Sequence, residues 1–111
     1  MSTIVIADYL SVAAGSSNSK IVYTVPGAKK LVIKRVRLFF PVGTEGYLIV
    51  EFRVGNFKIL PDYGQFSGDG NTITIETEKV LNPNEELVIF GVNSDTTNPH
   101  SVYYVVEGVI E

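Results

Sequence analysis

Apolar and polar residues alternate along nearly the whole chain with a period of two, the repeat of a β-strand with one face buried. Runs rich in Val, Ile, Tyr, Phe and Thr are separated by short clusters of Gly, Pro, Asn and Asp. The pattern predicts eight strands, at residues 3–9, 20–25, 31–40, 47–54, 57–60, 72–79, 87–92 and 102–110. No stretch carries the 3.6-residue repeat of a helix of ordinary length. The breakers are Pro26-Gly27, Pro41-Val42-Gly43, Gly55-Asn56, the Gly-Asp-Gly-Asn run at 68–71, Asn82-Pro83-Asn84 and the segment 93–99. Gly and Asn accept the positive φ of tight turns, and Pro pre-sets φ at a turn's first corner. Gly55-Asn56 separates two strands as a two-residue hairpin loop does. Links this short join antiparallel neighbours. The expected fold is therefore all-β, a single antiparallel β-sandwich of about eight strands in one domain spanning residues 1–111.

Three of these strands carry apolar residues on both faces. In 47–54 the even positions Leu48, Val50, Phe52 and Val54 belong in the core, yet Ile49 shares the other face with Glu51 and Arg53. Strict alternation in 31–40 places Leu31, Ile33 and Phe39 beside Arg35 and Arg37 on the outward face. In 102–110, Tyr103, Val105 and Val109 accompany Glu107. A solvated face reads mostly polar, so these side chains need a cover. Either loops such as 61–70 supply it, or other copies of the chain do. The second alternative makes the protein a homo-oligomer with Ile33, Arg35, Arg37, Phe39, Ile49, Tyr103 and Val105 at its interface. Residues 13–19, Ala-Ala-Gly-Ser-Ser-Asn-Ser, read as a flexible tether, which would leave the first strand free to pair with a neighbouring subunit.

Composition narrows the chemistry. The chain has 111 residues and no cysteine, so disulfides, thiolate nucleophiles and sulfur-ligated metal sites are excluded, and His100 is its one imidazole. The net charge of −3 hides a division. Residues 1–60 hold eight of the nine basic residues against three acids, a balance of +5, and residues 61–111 hold Lys79 against nine acids, a balance of −8. Two arrangements satisfy this: basic and acidic strands adjacent within one sheet, or opposite patches that match between subunits, with Arg35 and Arg37 meeting Glu76 and Glu78. The basic cluster at 29–37 alone favours nucleic acid, and the acidic second half opposes it, so no nucleic-acid partner is expected. The N-terminus lacks a charged n-region and a long apolar h-region, and no apolar run is long enough to span a bilayer; neither a signal peptide nor membrane insertion is expected.

Candidate sites are few. Asp69, Asn71, Asn93 and Asp95 offer oxygen donors in two loops, but they are also ordinary turn formers and lack the spacing of a calcium loop; no metal and no cofactor is expected. His100 stands near no serine or threonine nucleophile motif. The pairs Glu76/Glu78 and Glu85/Glu86 read as a solvated strand face and a turn, not as opposed carboxylates in a cleft. Phosphate-binding glycine motifs are absent. No catalytic residue is assigned and no enzyme is expected. A carbohydrate site is the stronger alternative: Tyr63 and Phe66 flank Gly64, where a ring can stack on a sugar while Asp62 and Gln65 bond its hydroxyls.

The segment LVIKRVRLFFPVGTEGYLIVEFRVGNFKILP, followed by VLNPNEELVIFGVNSDTTNPHSVYYVVEGVIE, resembles small β-sandwich or jelly-roll structural proteins of phage and archaeal virus particles. The likeness runs from about Lys20 onward and lies in the order of strands and turns, not in a binding or catalytic motif. It implies a jelly-roll-like fold and a virion component, such as a decoration, turret or minor capsid subunit, with other virion proteins as partners. Attachment to glycans is the alternative role.

Overall fold

The computed structural model describes residues 2–111. Its eight strands are β1 (Ser2–Val12), β2 (Ser17–Thr24), β3 (Leu31–Phe40), β4 (Leu48–Val54), β5 (Phe57–Leu60), β6 (Asn71–Leu81), β7 (Glu86–Asn93) and β8 (His100–Ile110). They form two antiparallel four-stranded sheets, with orders β1-β8-β3-β6 and β2-β7-β4-β5. Each strand from the first half pairs with its counterpart from the second: β1 with β8, β2 with β7, β3 with β6 and β4 with β5. The chain is thus one long hairpin, closed at Gly55-Asn56 and rolled so that successive pairs alternate between sheets, which is the jelly roll. Gly55 takes φ +60° at the first central position of that closing turn, where a Cβ is strained.

One apolar cluster fills the space between the sheets. Leu10, Val12, Leu31, Ile33, Val36, Leu38, Phe40 and Val106 from one sheet meet Leu48, Val50, Phe52, Leu87 and Ile89 from the other. Phe52 sits at its middle, edge-on to both Phe66 and Tyr104, with ring centroids 6.5 and 6.2 Å away. Burial pushes the Tyr104 hydroxyl up to about 12, with Asp8 adding to the effect.

Two expectations are corrected here. Strict alternation puts Ile33 on the outward face with Arg35, but the register of β3 slips between Ile33 and Arg35 against both β6 and β8. Such a bulge moves one residue out of step and exchanges the faces. Leu31 and Ile33 therefore point inward before it, and Val36, Leu38 and Phe40 point inward after it. Ile33 is wholly buried in the chain's own core. The tether at 13–19 is also not loose. Residues 17–19 belong to β2, the Gly15 N–H bonds the Asp95 carbonyl at 2.9 Å, and Ser16 accepts from the Asn93 N–H at 2.9 Å. β1 pairs over its whole length with β8 of the same chain.

After a cis Leu60–Pro61 bond, the loop 61–70 folds back along β4, where Phe66 and Val50 exchange two backbone hydrogen bonds of 2.9 Å.

Candidate functional site

The outer face of the β1-β8-β3-β6 sheet gathers the residues of interest into rows across the strands. Tyr9, Tyr103 and Phe39 stand in register on β1, β8 and β3, with ring centroids 5.8 Å apart for Tyr9–Tyr103 and 6.4 Å for Tyr103–Phe39. All three rings are about half exposed. The next row is Ala7, Val105, Arg37 and Thr74, and the one beyond it is Val5, Glu107, Arg35 and Glu76. A shallow apolar depression runs along the aromatic row and is bounded by Asp8, Arg37 and Thr72.

The arginines are held by ion pairs within the chain. Arg37 meets Glu107 at 2.6 Å, and Arg35 bridges Glu107 at 3.4 Å and Glu76 at 2.7 Å, so a line of alternating charge crosses β3, β8 and β6. The hydrogen bond and charge of Glu76 hold the Arg35 guanidinium above its ordinary value. Lys34 pairs with Glu78 in the same way. The division of charge along the sequence thus places basic β3 between the acidic strands β6 and β8. The Arg35–Glu76 pairing imagined between subunits is made inside one chain.

Of the residues expected at an interface, Arg35, Arg37, Phe39, Tyr103 and Val105 come together on this face. Ile33 does not, because of the bulge, and Ile49 lies on the opposite sheet in register with Val92. There Arg53 bonds Glu51 at 2.6 Å and lies over the Phe90 ring at 3.9 Å, a compact polar cover for that side. Sequence reasoning missed Val5, Ala7 and Tyr9. Their signal was the alternation of β1, which acquires meaning only once β1 is set beside β8.

The loop expected to hold a sugar does not present two rings. Tyr63 is 92% exposed, whereas Phe66 is 5% exposed and packs on Phe52. Asp62 is engaged by Lys79 at 2.8 Å, and Gln65 is exposed.

The remaining polar clusters are turn fastenings. The side-chain amide of Asn93, a residue 1% exposed, donates to the backbone carbonyls of Val12, Ala13 and Asn98, and its Oδ1 accepts the Asp95 N–H. Asp95 accepts from the N–H groups of Thr97 and Asn98 and meets His100 at 2.8 Å. The Thr97 bond first, and the His100 bond second, hold the Asp95 carboxyl below its ordinary range. His100 also stacks on Tyr47, with centroids 6.1 Å apart. Asp69 accepts the Gly43 N–H, and Asn71 accepts the Asp69 N–H. The oxygen donors expected of a calcium loop are thereby spent on backbone groups, and among the described residues no three His, Cys, Asp or Glu side chains cluster as metal ligands. Glu85 closes its own turn by accepting the Asn82 N–H, and Glu86 accepts from the Thr24 hydroxyl.

No family model matches the chain, and no curated protein matches it. Solved structures do. A chain in the acidic stable capsid structure of Helicobacter pylori bacteriophage KHP30 superposes with a TM-score of 0.63 at 12% identity, over 96% of this chain and 87% of that one. A chain of the cyanophage Pam1 capsid asymmetric unit gives 0.58 at 12% identity, over 96% and 83%. A chain in the structure of infectious bursal disease virus Gx strain gives 0.61 at 14% identity; 99% of this chain is covered, but it spans only 31% of that larger chain. The jelly roll is therefore shared with proteins of virus particles, as the resemblance in the sequence implied.

Proposed function

We propose that this protein is a non-enzymatic structural subunit of a virus particle, of the decoration, turret or minor-capsid kind, and that it assembles through the outer face of the β1-β8-β3-β6 sheet. One observation carries the reading: the fold corresponds over nearly its full length to nearly the full length of chains in two phage capsid structures. The chemistry of the chain agrees with it. Most of its carboxylates and its histidine are engaged in ion pairs and turn caps, and the aromatic row lies on an open sheet face, a shape suited to another protein surface more than to a small substrate. The aromatic row Tyr9–Tyr103–Phe39 would anchor that contact, since Tyr and Phe give large buried area at small entropic cost. The Glu76–Arg35–Glu107–Arg37 line would form its polar rim.

The test is quantitative mass spectrometry of particles purified from the source, comparing wild type with the double variant Phe39→Ser, Tyr103→Ser. The expected result is a fixed copy number per particle for wild type and loss of the variant from particles, while its melting temperature in isolation stays near wild type. Absence of the wild-type chain from particles contradicts the reading.

A further inference from the structure

The four sheet edges are not equally guarded. β2 is broken by a register shift between Ile21 and Tyr23, β5 has only four residues, and β6 presents Glu76, Glu78 and Lys79. A bulge, a short strand and charge are the ordinary means of keeping an edge from pairing with another chain. β1 has a guard on one half only. In the ladder with β8 the even residues of β1 are the hydrogen-bonded ones. That follows from β8, whose odd residues bond β3 in phase with the Lys30–Glu111 pair. The odd residues of β1 therefore direct their N–H and C=O groups away from the sheet.

On the second half of the strand these outward groups are capped from within the chain. The Tyr9 N–H is taken by the Asp8 carboxylate at 2.8 Å, the Tyr9 carbonyl accepts from Lys20, and the Ser11 carbonyl accepts from Asn18 at 2.9 Å. Lys20 is itself fixed by Asp8 at 2.7 Å. On the first half, among the described residues, nothing in the chain reaches the outward groups of Thr3, Val5 and Ala7. Residues 2–7, Ser-Thr-Ile-Val-Ile-Ala, contain no charge, no proline and no glycine. Val5 is 58% exposed, and Ile4 and Ile6, which face the core, are only partly covered.

From this geometry we infer that residues 2–7 of β1 are a strand-pairing site whose occupant is the same segment of a second copy, in an antiparallel pair about a two-fold axis at Val5. That register sets Val5 against Val5, Thr3 against Ala7 and Ile4 against Ile6. Outward groups then meet outward groups, and the half-covered isoleucines of each copy complete the core edge of the other. No charged side chain opposes a like one, because Asp8 falls opposite Ser2 of the other copy and is paired with Lys20. The Lys20 and Asn18 caps stop the pairing at Tyr9. Two four-stranded sheets become one of eight strands. The inference does not rest on the virion reading, since it concerns the isolated protein.

Proline at Val5 tests it. Only an outward donor is removed, so the ladder to β8 keeps all its bonds, and an edge position tolerates the ring. The contact is short, well below a standard interface, so the dimer exchanges with monomer and is sought at protein concentrations on the order of 0.1 mM. Sedimentation equilibrium is expected to give twice the chain mass of 12.2 kDa for wild type and the single mass for Val5→Pro, with unchanged circular dichroism. Val5→Lys, which blunts the edge by charge, keeps the inference testable should the proline variant not fold, and is expected to be monomeric. Wild type monomeric at that concentration overturns the inference. So does a dimer that survives Val5→Pro or Val5→Lys but is lost in Phe39→Ser, Tyr103→Ser, which would place the contact on the sheet face instead. Neither outcome touches the presence of the chain in particles.

Discussion

At the scale of single residues, two positions carry more than their type suggests. Gly108 lies on β8 where the bulged part of β3 approaches, and a Cβ there would stand 2.6 Å from the Val32 carbonyl oxygen and 3.1 Å from Leu31. The obstacle is backbone and cannot rotate away. Gly108→Ala is expected to cost about 1–3 kcal/mol in chemical denaturation, and a neutral result would mean that β3 is not bulged at this height. Asp95 organises the β7–β8 loop through backbone N–H groups and His100. Its carboxyl is held below the ordinary aspartate range, by the Thr97 N–H first and by His100 second. A depressed carboxyl stabilises the fold above its unfolded value and loses that contribution as pH falls through the lower, folded one. Asp95→Asn should thus melt below wild type at pH 7, and the two melting temperatures should converge as pH drops below about 4. A gap that persists at pH 2 would assign the effect to shape instead of charge. Neither role was legible beforehand: Asp95 reads as a turn former, and the Gly108 contact depends on a strand far away in sequence.

At the scale of elements, the strands themselves were legible and their partners were not. Alternation located all eight, because a half-buried strand imposes period two on its own sequence. The bulge in β3 left a trace as well: the apolar phase is odd at Leu31 and Ile33 and even at Val36, Leu38 and Phe40, with Lys34-Arg35 at the change. Reading one phase through the whole strand sent Ile33 outward. Partner choice was hidden because β3 meets β6 and β8 across long separations, so the charge division admitted pairing within a chain or between chains. The structure makes Arg37–Glu107 a bond between neighbouring strands. A double-mutant cycle with Arg37→Ala and Glu107→Ala should give a coupling of about 0.5–1 kcal/mol, given the partly exposed arginine. It should weaken in high salt. Zero coupling in dilute buffer would return Arg37 to the pool of groups awaiting an external partner.

At the scale of the molecule, the rolled hairpin explains why a site appears where sequence reasoning only partly placed it. Rolling sets β1 beside β8 and β8 beside β3, and this alone aligns Tyr9, Tyr103 and Phe39, which lie in three distant segments. The sugar reading rested on two rings three positions apart, Tyr63 and Phe66, where local spacing looked sufficient. The fold separated them by drawing Phe66 into the core through its bridge to Val50 and leaving Tyr63 outside. What the chain exposes is thus an aromatic sheet face with a charged border, together with the uncapped first half of the β1 edge. The most direct test of an assembly role is a cryo-electron microscopy reconstruction of particles purified from the source. The expected result is symmetry-related density fitting two four-stranded sheets, with Phe39 and Tyr103 covered by a neighbouring protein. Density that fits the fold but leaves that face open to solvent would contradict the assigned surface, and particles without such density would contradict the structural role itself.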